Sequence, residues 1–283
     1  MLSEECIIEC ILQKGGLCIT RFVNNEKTVD LSQVQHVVLT GADQLLYHFF
    51  EEVDKKIPQP YNLVIVESDG YQLFYEWIDN SKVKRIFGWN KKLDHHKTYP
   101  LPIGINEKRM GETLRSYDKK KSPTKLMFVN FNFKTNPHRE PLYHKLFLKF
   151  GGCQSVTFQP YKNEVYRKDK SSIEGEINQQ VTQSDYYDQL TDHKFCVSPP
   201  GTGIDCHRTW ECLYLGVIPI IQSDKYLDPI YERLPVLIVK DWSVLTKKYL
   251  QKKYKLICER IQSGYYDYEL LESGYWTELI STI

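Results

Sequence analysis

The 283-residue sequence lacks an apolar run of the roughly 18 residues needed to cross a bilayer. It also has almost no net charge, because 37 Lys and Arg oppose 36 Asp and Glu, so the protein has little general attraction for nucleic acid or anionic lipid. CxxC and HExxH spacings are missing, and no Asp-x-Asp follows an apolar strand, so neither a zinc site nor a metal bridging a diphosphate is indicated. These absences predict a protein with no membrane anchor, no nucleic-acid partner and no metal or other cofactor.

The first residues, MLSEECIIECILQK, contain neither a basic leader nor a small-residue cleavage site. Several cysteines lie within apolar runs, where a reduced thiol packs as a small hydrophobe. The eight are Cys6, Cys10, Cys18, Cys153, Cys196, Cys206, Cys212 and Cys258. We therefore expect a soluble protein of a reducing compartment, the cytoplasm.

Short apolar runs alternate with polar or amphipathic runs, which is typical of an α/β fold. In the first third, strands are predicted at 6–12, 17–22, 34–39, 63–66 and 83–87, and helices at 44–53 and 71–77. After the charged segment 115–125, a second series has strands at 126–133, 155–158, 195–197 and 236–239 and a helix at 141–150. We place a boundary near Lys121 and predict two domains, residues 1–120 and 121–283. The polar segment 161–184 is interpreted as a mobile loop.

The stretch from Phe195 to Ile221 predicts a strand, a glycine loop, a helix and a second strand. It reads FCVSPPGTGIDCHRTWECLYLGVIPII. Such a unit forms part of a parallel sheet, whose ligand normally lies beyond the carboxyl end of the first strand. Glycines let the backbone approach that ligand, and the N–H groups and dipole of the helix start favour an anion such as a phosphate. Contacts with this ligand are therefore predicted for Ser198, Gly201, Thr202 and Gly203.

Arg208 and Glu211 stand three residues apart in the predicted helix, so their side chains project from nearly one face. A guanidinium there can neutralise a diphosphate, and a carboxylate can accept hydrogen bonds from a ribose diol. The alternative is an intrahelical ion pair on a solvated face, although apolar neighbours such as Trp210 favour ligand binding. His207 is interpreted as lining the phosphate site or capping the loop, because adjacent helical residues diverge too far for Cys206 and His207 to act as a dyad.

The segment FVNFNFKTNPHRE, which follows the first strand of the second domain, forms another polar loop. Asn132 and Arg139 are predicted to converge with the glycine loop on one ligand. The alternative for the asparagines is turn and capping chemistry, which Asn136 before Pro137 could satisfy.

In the first domain the strand ending at Val66 is followed by Glu67 and Asp69. A carboxylate at the carboxyl end of a strand, facing a cleft, can act as a general base. Asp69 is the first candidate and Glu67 the second, although Asp69 could instead cap the following helix. His95, at another strand end, is a weaker candidate for the base. Glu67 and His95 are also predicted to bind the substrate from which the base takes its proton, here called the acceptor.

The glycine-loop stretch, the FVNFNFKTNPHRE segment and, more loosely, YPLPIGIN at 99–106 resemble the exostosin-like glycosyltransferases, over roughly residues 98–240. The resemblance implies a GT-B fold, in which two Rossmann-like domains face a cleft and the C-terminal helix packs back toward the N-terminal domain. It further implies inverting, metal-independent transfer from a UDP-sugar, with Arg208 on the diphosphate and Glu211 on ribose or sugar hydroxyls. Residues 1–120 would then bind the acceptor and residues 121–283 the nucleotide sugar.

Animal exostosins are longer, membrane-anchored and secretory, whereas this sequence is short, thiol-rich and without a spanning stretch. In these respects it is similar to the small xylosyltransferases of large algal viruses, which implies a UDP-xylose donor and the host cytoplasm.

The sequence thus predicts a UDP-sugar glycosyltransferase, more specifically a xylosyltransferase, whose partners are a nucleotide sugar and a glycan. Two alternatives stay open. A non-catalytic nucleotide-sugar or glycan-binding module would keep the phosphate loop without a base. An NAD-dependent oxidoreductase is disfavoured by Cys206 in the third glycine position of GxGxxG and by the absence of a glycine fingerprint after the first strand.

Overall fold

The computed structural model describes residues 1–20, 23–67, 69, 73–90, 93–118, 122–159 and 182–282. These residues form two parallel five-stranded sheets with helices against them. The N-terminal elements are α1 (Glu4–Gln13), β1 (Leu17–Ile19), β2 (His36–Thr40), α2 (Asp43–His48), β3 (Tyr61–Val66), α3 (Tyr75–Asn80), β4 (Val83–Gly88), β5 (Thr98–Pro100) and α4 (Glu112–Ser116). The C-terminal elements are β6 (Lys125–Val129), α5 (Arg139–Phe150), β7 (Val156–Phe158), α6 (Gln183–Thr191), β8 (His193–Val197), α7 (His207–Tyr214), β9 (Ile218–Gln222), α8 (Asp228–Tyr231), β10 (Leu237–Val239), α9 (Lys247–Gln262) and α10 (Ser273–Thr282).

The N-terminal sheet has the order β1-β2-β3-β4-β5. Its strands are buried on both faces, as their continuous apolar sequences require. Successive residues alternate between two cores: Leu63 packs with α2 and α3 on one side, whereas Val64 packs with α1 and α10 on the other. The carboxyl ends of β2 and β3 therefore meet at one edge, where Asp69 and the start of α2 lie.

The C-terminal sheet has the order β10-β9-β8-β6-β7. Its first strand, β6, lies between β7 and β8, so the chain leaves β6 in one direction and later returns on the other side. This reversal is the topological switch point at which open α/β sheets bind ligands. The loops that follow β6 and β8 both begin at this point.

One buried hydrophobic cluster contains residues of both domains, and the last helix, α10, packs in it against the first sheet. Trp276 and Ile280 of α10 pack in the same core as Val38 and Val64 of the first sheet. The side-chain amide of Asn62 donates to the carbonyl of Ile280 at 2.8 Å. The predicted fold class, two Rossmann-like α/β domains with a C-terminal helix packed back on the first, is therefore confirmed.

The predicted strand at 6–12 is wrong, because these residues belong to α1. The hydroxyl of Ser3 caps that helix by accepting from the backbone N–H of Cys6. Buried Ile7, Ile8 and Ile11 have the i, i+1, i+4 spacing of one helical face. A short apolar run fits either structure, and the cap identifies the helix.

The other boundaries differ by a few residues. The predicted helix at 44–53 is α2 followed by a π-helical turn, Phe49–Val53, and the predicted strand at 126–133 ends at Val129, before a 3₁₀ turn at Phe133–Thr135. Residues 71–72 of a predicted helix, the boundary residue Lys121 and residues 161–181 of the predicted mobile loop lie outside the described residues. The first sheet ends at Pro100 and the second begins at Lys125.

No helix within the described ranges combines the length and the apolar character needed to cross a membrane.

Candidate functional site

Two polar loops meet at the switch point of the C-terminal sheet, as the sequence predicts. The loop after β8 carries the glycines, and the loop after β6 carries the asparagines and Arg139. The side-chain amide of Asn136 donates to the carbonyl of Gly201 at 2.8 Å. Thr202 is exposed, and its hydroxyl donates to the carbonyl of Thr135 at 3.4 Å. The contacts fix the glycine loop against its neighbour.

Arg139 is the main connection between these loops. Its guanidinium donates to the carbonyls of Pro199 (2.8 Å) and Pro200 (2.9 Å) on one side. On the other side it donates to the carbonyl of Asn132 (3.1 Å) and the hydroxyl of Thr135 (2.7 Å). Its remaining N–H contacts the sulfur of Cys206 at 3.5 Å. All five N–H groups have protein partners and the side chain is buried, so Arg139 shapes the loops, and the donor contact predicted for it has no geometric support.

Ser198 and Asn132 also have local partners. The Ser198 hydroxyl is buried and bonds to that of Thr209 at 2.9 Å, which places it behind the loop surface. Asn132 caps a 3₁₀ turn, its side-chain oxygen accepting from the N–H of Lys134 at 2.9 Å. The capping role considered for the asparagines therefore applies to Asn132.

Gly203 brings the glycine loop into contact with the N-terminal domain. A Cβ at this position would lie 2.4 Å from Nδ2 of Asn90, at the end of β4. Asn90 itself has a φ of 48° and its side-chain oxygen accepts from the N–H of Asp205 at 2.8 Å. The glycine is needed here for close approach between domains, in addition to any close approach to a ligand.

Asp205 is a connecting residue that sequence reasoning missed. It is 4% exposed, and its carboxylate accepts from the N–H of Ile103 in the first domain at 2.9 Å. It also accepts from the indole N–H of Trp210 at 3.0 Å and from the hydroxyl of Tyr231. Burial raises the pKa of Asp205, and these hydrogen bonds oppose the rise. Two of its partners, Ile103 and Tyr231, are distant in sequence, so no local motif indicates the role of Asp205.

Arg208 and Glu211 project from α7 into a buried region at the same end of the sheet. Glu211 is only 5% exposed, and Nε of Arg208 is buried without a hydrogen-bond partner. Within the described ranges no salt bridge joins the two side chains, although each charge favours the other. The alternative of an ion pair on a solvated face does not apply, because Glu211 is buried. Buried polar groups left unpaired are costly. The unpaired Nε of Arg208, next to the buried carboxyl of Glu211, is the feature that most strongly favours a ligand.

The surroundings of Arg208 keep it charged. Burial opposes its charge, but a guanidinium keeps its proton at any ordinary pH, and the nearby Glu211 is among the groups that raise the pKa of Arg208. Burial raises the pKa of Glu211 to about 7, and the charge of Arg208 limits the rise. The pair therefore offers a fixed cation beside a carboxyl that titrates near neutrality.

His207 lies at the start of α7, where the two domains meet. Its Nδ1 is 2.9 Å from the carbonyl oxygen of Gly104 in the first domain, so Nδ1 carries the proton and Nε2 keeps its lone pair in the neutral ring. Burial lowers the pKa of His207, although Gly104, Asp205 and Asp69 oppose this. Asp69 is exposed and follows β3 at the carboxyl edge of the first sheet.

Glu67, predicted on the acceptor side, has a carboxyl neighbour that the sequence did not suggest. It has a left-handed φ of 55° and accepts a hydrogen bond from the hydroxyl of Thr40. Glu4, in the first turn of α1, lies within hydrogen-bonding reach of it. Burial and then the charge of Glu67 raise the pKa of Glu4 to about 8. The misassigned strand at 6–12 concealed this pair, since only a helix beginning at Glu4 directs its side chain there.

His95 has partners of its own. Its Nε2 is 3.1 Å from a carboxylate oxygen of Asp79 at the end of α3, and its ring packs against those of Tyr75 and His96. The neighbouring residue Asp94, rather than His95, reaches the second domain through an ion pair with Lys225. The acceptor contact of His95 stays a prediction.

Within the described ranges, no group of three or more His, Cys, Asp and Glu side chains is arranged to hold a metal ion.

No protein-family model matches this chain, and no curated protein is significantly similar to it. Thirteen chains of solved structures match, including the following two, both at low identity. The GtfA/B complex is 14% identical with a TM-score of 0.44, and the match covers 88% of this chain and 58% of that one. The pneumococcal O-GlcNAc transferase GtfA, in complex with UDP and GlcNAc, is 12% identical with a TM-score of 0.38, covering 87% of this chain and 53% of that one. The chain thus spans less than two thirds of the length of either protein.

Proposed function

We propose that the protein is a glycosyltransferase that uses a UDP-sugar donor and a glycan acceptor. The observation that carries this proposal is the pairing of Arg208, whose Nε is buried without a hydrogen-bond partner, with the buried carboxyl of Glu211 on α7, beside a glycine loop at the switch point. A cation suited to a diphosphate and a carboxyl suited to hydroxyl groups match the two ends of a nucleotide sugar.

In this proposal the donor lies at the carboxyl end of β8. Arg208 and the start of α7 bind the diphosphate, and Glu211 accepts hydrogen bonds from ribose or sugar hydroxyls. The backbone of Gly201 to Gly203 lines the same site. Arg139 and Asn132 act indirectly, because they hold the loop in place.

Asp69 is proposed as the general base, since it is exposed at the carboxyl edge of the first sheet and influences His207. It takes the proton of the acceptor hydroxyl while that oxygen bonds to the anomeric carbon. The bond from this carbon to the diphosphate oxygen breaks, and UDP leaves with its charge neutralised by Arg208. A single displacement of this kind inverts the anomeric configuration.

His207 is a second candidate for the base, because Gly104 fixes its tautomer with Nε2 unprotonated. Asp69→Asn should abolish transfer and leave UDP binding unchanged if Asp69 is the base. His207→Gln should then retain measurable transfer. The opposite pattern would assign the proton transfer to His207.

The finer features of the proposal come from the resemblance to exostosin-like enzymes. They are inversion, independence of metal and, from the resemblance to the algal-virus enzymes, xylose as the transferred sugar. Anomeric configuration of the product by NMR and activity with EDTA test the first two, and competition among UDP-sugars tests the third.

The first experiment is thermal stabilisation of the purified protein by UDP, GDP, several UDP-sugars and NAD, with and without EDTA. A ligand at roughly 100 times its Kd stabilises a protein by about 2.7 kcal/mol, which corresponds to a shift of roughly 5 °C or more for a chain of this size. We expect this shift with UDP-sugars, its loss in Arg208→Ala, and its retention in Arg233→Ala, whose exposed arginine pairs with Asp267. No shift with any uridine nucleotide would overturn the proposal, and a shift with NAD would favour the oxidoreductase.

A further inference from the structure

A cavity lies on the N-terminal domain, lined by residues other than Arg208 and Glu211. Its volume is about 380 Å³, within the range of about 300–1,000 Å³ typical of small-molecule sites. Its lining is mostly apolar and consists of Asp43, Gln44, Tyr47, Phe74 and Trp77. We call it the aromatic pocket.

Three rings form the wall of the aromatic pocket, and Trp77 holds them together. The Trp77 ring meets the Phe74 and Tyr47 rings edge-on, with centroid separations of 4.8 Å and 6.1 Å. It stacks on the ring of buried Phe50 with a centroid separation of 5.1 Å. Its indole N–H donates to Glu51 at 3.1 Å, which fixes its orientation. The pocket is thus preformed, and binding there would cost little ordering of side chains.

Two of these rings are unusually open to solvent. Tyr47 is 61% exposed and Phe74 is 44% exposed. Clustered exposed aromatics beside a cavity mark a binding surface more often than isolated ones do. Asp43 and Gln44 stand at the rim, and neither side chain bonds to another residue within the described ranges.

The aromatic pocket lies beside the junction of the two domains. Asp43 begins α2 after β2, and Phe74 precedes α3 after β3, so both lie at the edge of the first sheet that carries Asp69. The hydroxyl of Tyr75, the next residue, donates to the carbonyl of Asp94 at 2.8 Å. Asp94 in turn forms the ion pair with Lys225 of the second domain. A molecule in the pocket could therefore extend toward the cleft.

We propose that the aromatic pocket binds one neutral sugar ring of the acceptor glycan. A pyranose has an apolar face of C–H groups that can pack on the Tyr47 and Phe74 rings, and hydroxyls that can donate to the Asp43 carboxylate and bond with the Gln44 amide. The charge of Asp43 disfavours an acidic sugar, because a second carboxylate or a sulfate would be repelled. This inference rests on the proposed glycosyltransferase function, for which it supplies an acceptor subsite.

The test is saturation-transfer NMR on the full chain with methyl glycosides of xylose, glucose, galactose, mannose and glucuronic acid. We expect at least one neutral glycoside to bind and methyl glucuronide to bind weakly. Tyr47→Ala should weaken that binding about tenfold, as expected for loss of one stacking ring. Tyr265→Ala, which removes a ring that is 60% exposed in the other domain, should not change it.

Two further measurements distinguish failure of the sugar-site proposal from failure of the transferase proposal. Asp43→Asn should relax the discrimination against methyl glucuronide, and UDP stabilisation should be the same in Tyr47→Ala as in the original chain. If no neutral glycoside binds while UDP does, or if binding survives in both Tyr47→Ala and Phe74→Ala, the aromatic pocket is not a sugar site. If a glycoside binds through Tyr47 but no uridine nucleotide binds, the pocket is a sugar site and the transferase proposal fails.

Discussion

The carboxylate of Asp205 in the second domain accepts a hydrogen bond of 2.9 Å from the backbone N–H of Ile103 in the first. The same carboxylate bonds to Trp210 and Tyr231 in its own domain. One buried acid thus orients the start of α7 and ties it to the other half of the molecule.

Asp205→Ala should therefore destabilise the protein strongly. It leaves the indole of Trp210, the hydroxyl of Tyr231 and the N–H of Ile103 without a partner, at about 1–3 kcal/mol for each unsatisfied buried group. We expect the free energy of unfolding to fall by roughly 3–5 kcal/mol in urea titrations. Asp94→Ala removes an exposed interdomain ion pair with Lys225 and should cost less than about 1 kcal/mol. Equal losses in the two variants would contradict this account of Asp205.

Gly203→Ala should weaken the same junction by steric conflict. The new Cβ would lie 2.4 Å from Asn90 Nδ2, and Asn90 cannot move freely because it accepts from the N–H of Asp205. Overpacking of this kind costs about 1–3 kcal/mol. Gly274→Ala, at a position with nothing within 4 Å of the added carbon, is the matched control and should be neutral or slightly stabilising. Thermal denaturation of the two variants measures the difference.

Glu211→Gln should stabilise the unliganded protein at alkaline pH. The pKa of Glu211 is raised from 4.5 to about 7, so between these values the native state holds a proton that the unfolded chain has released. The contribution of Glu211 to the free energy of unfolding is therefore lost as pH rises from about 4.5 to about 7. The glutamine variant does not titrate, so its stability does not fall in this way. We expect an advantage of about 3 kcal/mol at about pH 8 and little at about pH 4.5, from about 1.4 kcal/mol per unit of pKa.

Urea unfolding at both pH values tests this, with the exposed Glu9→Gln as control. The same Glu211→Gln variant should bind UDP-sugars less tightly. If Glu211 destabilises the unliganded protein and strengthens donor binding, it is a binding residue. If the Glu211→Gln variant is instead less stable than the original protein at about pH 8, Glu211 has a structural role.

Glu4→Gln should produce a similar effect over a higher pH range. The pKa of Glu4 is raised from 4.5 to about 8, by burial and then by Glu67. Stability from Glu4 is therefore lost as pH rises from about 4.5 toward 8, and the glutamine variant should be the more stable protein above about pH 8. In a Glu67→Gln background the advantage should shrink, because the charge of Glu67 is one cause of the raised pKa of Glu4. An unchanged advantage would mean that burial alone perturbs Glu4.

Local sequence was sufficient for much of the fold and part of the site. The strand, glycine loop and helix around Arg208 are contiguous, so spacing alone places Arg208 and Glu211 on one helical face. The convergence of the loops after β6 and β8 followed from the rule that parallel strands share a carboxyl edge.

Other features depend on contacts between distant residues. The sequence predicts Arg139 as a donor contact, and the structure adds a feature that the sequence does not show, a protein partner for each of its N–H groups. Glu4 was hidden because ECIIECIL fits a strand or a helix, and only the Ser3 cap decides between them. The aromatic pocket joins two helices separated by β3, so no single stretch of sequence contains it.

The position of α10 has a consequence for the order in which the protein can fold during synthesis. The face of the first sheet that contains Val38 and Val64 is covered in part by Trp276 and Ile280, which leave the ribosome more than 200 residues later. At a rate of about 5–20 residues per second, this apolar surface stays incompletely covered for roughly 10 s or more. The first domain is therefore expected to complete its core only with the last helix, and a nascent chain that stops before α10 should be a preferred substrate for chaperones.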